Sequence, residues 1–328
     1  MIHFLLSIFA LCIFSCLTAE HKNEQQSTSS EQEAPTRSCK KHCSCKRKKR
    51  QKRACINCQC FTRCDGLQLF TSIQGCGKQT IVFLHGFPAD SQVWNQQRQA
   101  FNSCFRTLAY DQRGFGKSSK PTGPYDVTAY AQDLRCVLDQ FKIEKPILVG
   151  HSFGGQVALR FFSLFPDRVC KLVLVSANAK FSASPDYPFG VPAEALQQLG
   201  ALVQRNLREG ITAFVNLAFP EPNTEALKQQ LIEQGLQSTQ TVVLSFFQGI
   251  ALTDLRSVLP SITVPTLIIH GTNDNIFSFQ AGLFLRDNIR NSQFVAFENK
   301  GHFAFLTNPA KFTQVLRDFL RTTPACCK

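Results

Sequence analysis

The stretch that most constrains this chain runs from residue 146 to 155. An unbroken apolar run, 146–149, passes into Gly150-His151-Ser152-Phe153-Gly154-Gly155, and a helical pattern follows to residue 165. A serine on so sharp a strand-to-helix turn has strained dihedrals. The positions two before and two after it must therefore be glycine or similarly small. The turn drives the Ser152 hydroxyl out of the sheet and places it at a helix N-terminus, where developing negative charge is favoured. The five-residue pattern alone recurs by chance, and its weight here comes from the buried strand before it and the helix after it.

The surrounding pattern agrees with that turn. From Asp65 onward, short apolar runs at 66–70, 81–84, 106–110, 146–149, 172–175, 266–269 and 293–297 read as strands. Helical patterns at 126–141, 153–165, 279–288 and 309–320 lie between or after them. Such alternation predicts a mostly parallel sheet with helices on both faces. Residues 180–260 break it, with helical spacing and turn signals such as Phe219-Pro220-Glu221-Pro222-Asn223. We expect a helical insertion there, lying as a lid over the carboxyl ends of the strands.

If Ser152 is a nucleophile on this fold, an acid and then a histidine must follow it in the chain. His302 is the only histidine after residue 270, in the loop Lys300-Gly301-His302-Phe303. His270 ends a strand and reads as structural, and His151 should point away from the attacking face. The acid is Asp274 in Gly271-Thr272-Asn273-Asp274, because the loop after Val175 offers Ser176-Ala177-Asn178 and no carboxylate. Asp274 would hold the His302 tautomer and stabilise the imidazolium. His85-Gly86-Phe87-Pro88 follows the 81–84 strand, so the N–H groups of Phe87 and Phe153 are the expected oxyanion donors. No metal or cofactor motif accompanies these residues.

Residues 65–322 resemble the α/β-hydrolase-1 group of esterases and lipase-like enzymes. The shared pieces are His85-Gly86-Phe87-Pro88, Trp94, the run Asp111-Gln112-Arg113-Gly114-Phe115-Gly116-Lys117-Ser118, the serine turn, Val264-Pro265-Thr266, Gly271-Thr272-Asn273-Asp274 and Gly301-His302. The resemblance implies an α/β-hydrolase fold and cofactor-free ester hydrolysis. Serine at 152 departs from haloalkane dehalogenases and epoxide hydrolases, which carry aspartate there. Thr253-Asp254-Leu255-Arg256 and Gly301-His302-Phe303-Ala304-Phe305 are similar to pimeloyl-carrier-protein methyl ester esterases, and haloperoxidase-like esterases share most of the motifs. The expected activity is hydrolysis of a carboxylic ester of a small acyl substrate through an acyl-enzyme on Ser152. Thioester or carbon–carbon hydrolysis with the same triad, and a non-catalytic surface binder on the same fold, are the alternatives.

Charge and cysteine content separate the N-terminal part from this body. The 328-residue chain has a net charge of +13, but residues 1–64 hold 12 Lys/Arg and 4 Glu, which leaves only +5 for the rest. The body therefore needs no nucleic-acid partner. Residues 1–19 read as an export signal or membrane anchor. Two exits fit: cleavage after Leu17-Thr18-Ala19, or lipidation at Cys16 in Ile13-Phe14-Ser15-Cys16. Residues 20–64 are expected to be a disordered, Cys-rich basic tether. Its run 46–53 suits anionic surfaces or membranes, and its seven cysteines suit disulfides outside the cell. Residues 323–328 form a tail. Cys76, Cys104, Cys136 and Cys170 read as buried small residues unless they are paired.

Overall fold

A computed structural model describes residues 56–323 of the chain. The expected export segment with Cys16, the basic run 46–53, the tether up to residue 55 and the last five residues lie outside the described residues. Eight strands make one sheet: β1 (Ile56–Cys64), β2 (Leu67–Gly75), β3 (Thr80–Leu84), β4 (Arg106–Tyr110), β5 (Ile147–His151), β6 (Lys171–Val175), β7 (Thr266–Gly271) and β8 (Ser292–Phe297). Their order is β1-β2-β4-β3-β5-β6-β7-β8. β1 and β2 pair antiparallel, as do β2 and β4, and every remaining pair is parallel. Every residue of β3, β5, β6 and β7 is buried, as two covered faces require.

Ten α-helices and three short 3₁₀ helices, Ser91–Trp94, Pro166–Arg168 and Arg256–Ser261, join these strands in the described chain, and only the α-helices are numbered. In chain order they are α1 (Asn95–Phe101), α2 (Val127–Gln140), α3 (Phe153–Leu164), α4 (Ala193–Arg205), α5 (Leu207–Ala218), α6 (Glu225–Gly235), α7 (Gln240–Ala251), α8 (Phe279–Asn288), α9 (Ala304–Thr307) and α10 (Pro309–Thr322). Local chemistry sets several starts. The Asp126 carboxylate accepts the N–H groups of Thr128 and Ala129 at the head of α2. Asn206 caps α5, Thr239 caps α7 and Asn308 caps α10, in each case through a side-chain oxygen. Helices α4 to α7 all lie between β6 and β7. Among the described residues no helix is long and apolar enough to cross a membrane.

Two readings of the sequence need correction. Residues 56–64 are not part of a disordered tether. They form the edge strand β1, paired residue for residue with β2 from Ile56–Gly75 to Cys64–Leu67. The expected opening strand at 66–70 is thus the second strand, and it continues to Gly75. β1 alternates in the manner of a half-buried strand, with Asn57, Gln59, Phe61 and Arg63 exposed and Ile56, Cys58, Cys60, Thr62 and Cys64 turned inward. The cysteines here occupy apolar positions of a period-two pattern. Cys136 in α2 is paired: it is disulfide-bonded to Cys64, with the Cα atoms 5.8 Å apart. Cys76 and Cys170 are also disulfide-bonded. Cys104 is exposed.

Candidate active site

Ser152 stands between the end of β5 and the start of α3 with φ 53° and ψ −121°. A non-glycine residue in such a conformation costs roughly 1–3 kcal/mol and persists only where its surroundings hold it. Here the Ser152 N–H donates to the Val175 carbonyl at the end of β6, and its carbonyl accepts the N–H groups of Gly155 and Gln156. The neighbouring glycines leave no room for a side chain. A Cβ on Gly150 would come within 2.3 Å of the Gly154 carbonyl oxygen, and one on Gly154 within 2.4 Å of the Leu84 oxygen. A Cβ on Gly86 would meet the Ser152 Cβ at 2.8 Å, so the turn after β3 and the serine turn touch directly.

The turn after β3 is itself fixed. The Gln112 backbone N–H donates to His85 Nε2 at 2.9 Å, and the Gln112 side-chain amide donates to the His85 carbonyl. The ring proton of His85 therefore sits on Nδ1, 3.1 Å from the Gly86 carbonyl. Burial keeps this imidazole below its ordinary pKa and hence neutral. Phe87 follows, beside Ser152 and Phe153 in the wall of one cavity. As the first residue of α3, Phe153 has an N–H with no intrahelical acceptor.

Asp274 and His302 meet at the carboxyl edge of the sheet. His302 Nδ1 lies 2.8 Å from Asp274 Oδ2, and both side chains are fully buried. Asp274 Oδ1 accepts the N–H groups of Ile276 and Phe277, at 2.8 and 3.0 Å. His270 is closer to this chemistry than its place at a strand end suggested: its Nε2 is 3.3 Å from Asp274 Oδ2 and 3.0 Å from the Phe277 carbonyl. Burial pushes the Asp274 carboxyl up, but His302 and His270 beside it more than offset this and hold it well below the usual carboxylate range. His302 Nε2 is buried and makes no hydrogen bond, so no hydrogen bond joins it to Ser152 in this state. Such contacts often close only around substrate.

His151 directs its Nε2 to the His302 carbonyl at 2.9 Å, with the two ring centres 4.8 Å apart. Burial drives its pKa far down, so it remains neutral and adds no charge beside His302. The cavity that Ser152 lines has a volume of about 260 Å³. Its remaining wall comes largely from α4, α5 and α7 of the insertion, and no charged residue lines it. Two of its wall residues, Phe214 and Phe277, pack edge-on against the His302 ring. Among the described residues no group of three or more His, Cys, Asp or Glu side chains could hold a metal ion.

An eight-stranded, mostly parallel sheet flanked by helices, with a serine on the strained turn after its central strand, defines a hydrolase scaffold. The chain belongs to the α/β hydrolase fold family, whose model matches residues 79–309. It is 32% identical over 260 residues to the AB hydrolase superfamily protein YisY of Bacillus subtilis, an alignment that covers 78% of this chain and 96% of that one. It is 26% identical over 272 residues to the bifunctional esterase/perhydrolase DCH of Acinetobacter calcoaceticus, covering 79% and 98%. Among solved structures it resembles the esterase EaEST of Exiguobacterium antarcticum, with a TM-score of 0.76 and 29% identity over 80% of this chain and 98% of that one.

Proposed function

We propose that this chain is a serine esterase that hydrolyses carboxylic esters of neutral, apolar acyl groups through an acyl-enzyme on Ser152. The observation that carries the reading is the buried Asp274–His302 pair beside a cavity lined by Ser152. His302 Nε2 takes the Ser152 proton as Oγ attacks the carbonyl carbon. The Phe87 and Phe153 N–H groups receive the oxyanion, each worth roughly 3 kcal/mol. His302 then returns the proton to the leaving alcohol, and water repeats the sequence to free the acid. Asp274 keeps the Nδ1–H tautomer and balances the imidazolium. Gln198 and Asn275 are the only polar side chains besides Ser152 in the cavity wall, which favours an uncharged hydrocarbon chain.

Relatives named as esterases support the ester class. The Cys64–Cys136 disulfide, with Cys76 and Cys170 also bonded, supports an oxidising compartment and hence export. The test is turnover of p-nitrophenyl esters of increasing acyl length, with matching thioesters, by the intact protein and by Ser152→Ala. Medium-chain esters should turn over fastest, and the alanine variant should lose more than about 10⁴-fold in kcat. Undiminished hydrolysis by Ser152→Ala would remove the nucleophile from this reading. Faster thioester turnover would replace the substrate class, and no turnover of either would favour a binding protein.

A further inference from the structure

We infer that Glu221, just beyond α5 in the helical insertion, is a positioning residue that holds the loop carrying His302. The inference rests on the reading of His302 as the general base. Glu221 is a carboxylate in the interior, 8% exposed. Its Oε1 accepts the Gly301 N–H at 2.9 Å and the Thr307 hydroxyl at 2.8 Å. The next N–H in the loop, that of His302, donates to the Ala218 carbonyl at 3.0 Å. Two consecutive peptide groups of the histidine loop are therefore held by residues 218–221, one of them through a charge-assisted bond.

The packing around these bonds leaves little slack. A Cβ on Gly301 would meet Pro220 Cδ at 2.3 Å, so only glycine lets the loop approach this closely. Phe219 stacks flat on Phe303, with centres 5.0 Å apart and planes 2° from parallel. The Thr224 hydroxyl donates to the Glu221 carbonyl at 2.9 Å, which fixes the main chain from which the carboxylate reaches. Glu221 Oε2 is buried and makes no hydrogen bond. A buried carboxylate with one idle oxygen costs stability, so the group is poorly explained as a contribution to the core. Ala213, Phe214 and Leu217 of α5 line the cavity. One helix thus shapes the acyl pocket and, through the residues at its end, sets the base.

Steady-state kinetics on Glu221→Ala and Glu221→Gln provide the test, using the same ester panel. The alanine variant should lose about 10- to 100-fold in kcat, as for a misplaced catalytic group, with KM within about twofold. The glutamine variant keeps an oxygen for both donors and should stay within about threefold of the parent kcat. If Glu221→Ala does not fold, Glu221→Asp, one methylene shorter, should show the same kcat loss. Hydrogen exchange of the Gly301 and His302 amides gives a readout independent of turnover, and it should quicken in Glu221→Ala but not in Glu221→Gln. Unchanged kcat in the alanine variant, equal loss in the glutamine variant, or unchanged exchange at 301–302 would overturn the inference. The exchange result stands even where Ser152 proves not to be the nucleophile.

Discussion

Oδ2 of Asp274 sits 2.8 Å from Nδ1 of His302, in a place where neither side chain touches water. The other oxygen of the same carboxylate is occupied by two backbone N–H groups, so the group cannot rotate without losing them. Its folded-state pKa lies below the ordinary 3.8, so the sign of its linkage is fixed. The stability it contributes is complete above the ordinary carboxylate range and is lost as pH falls through the folded value.

Asp274→Asn should keep the fold and remove the chemistry. The amide oxygen can still accept the Ile276 and Phe277 N–H groups, but an NH₂ then faces the Nδ1–H of His302 and favours the wrong tautomer. We expect kcat to fall by roughly 10³- to 10⁴-fold with little change in KM. Measured kcat within tenfold of the parent would contradict the role given to the pair.

Asp90 should make stability fall as pH rises through weak acid. Burial, with the Asp111 carboxylate nearby, pushes the Asp90 carboxyl up from 3.8 to about 6. Between these values the folded chain holds a proton that the unfolded chain has released. Unfolding free energy therefore declines by about 2 kcal/mol from this group between pH 4 and pH 6, and by about 3 kcal/mol in all once both states are deprotonated. Asp90→Asn keeps an acceptor for the Gln92 N–H that caps the turn at 91–94. It should flatten this slope and unfold at higher denaturant near neutral pH. Chemical denaturation across that range, with parent and variant curves running parallel, would refute the assignment.

Replacing both Cys64 and Cys136 by serine should lower stability without touching catalysis. The bond closes a loop of sequence separation 72. The chain-entropy relation puts its worth at about 4 kcal/mol, an upper figure because strain and residual structure subtract from it. Thermal melting should shift downward by several degrees while kcat and KM hold, since neither cysteine lines the cavity. A variant with unchanged melting would mean that β1 stays in place without its covalent link.

The serine turn was legible in the sequence because its glycines answer to hard sterics that any backbone must obey. The contact between Asp274 and His302 was legible for a weaker reason, that the chain after Val175 offers few alternatives. β1 was not. Cys58, Cys60 and Cys64 fall on its inward face, so a cysteine spacing that reads as a disulfide tract is also the period-two pattern of a half-buried strand. The second role of His270 was hidden because it depends on a contact made only when the chain after β7 turns back on itself. Glu221 carried no motif at all. Its partner Gly301 lies 80 residues away, a pairing that no local pattern encodes.

The edge strand has one mechanical consequence. Any pull on the chain ahead of Ile56 enters the fold at the Ile56–Gly75 pair, the end of β1 farthest from its disulfide. The other end of β1 is tied covalently to α2 through Cys64 and Cys136. β2, β4 and the strands that lead to Ser152 and Asp274 follow β1 in the sheet order. The outermost strand is thus held twice, by its ladder and by sulfur, before the sheet bearing the site is reached.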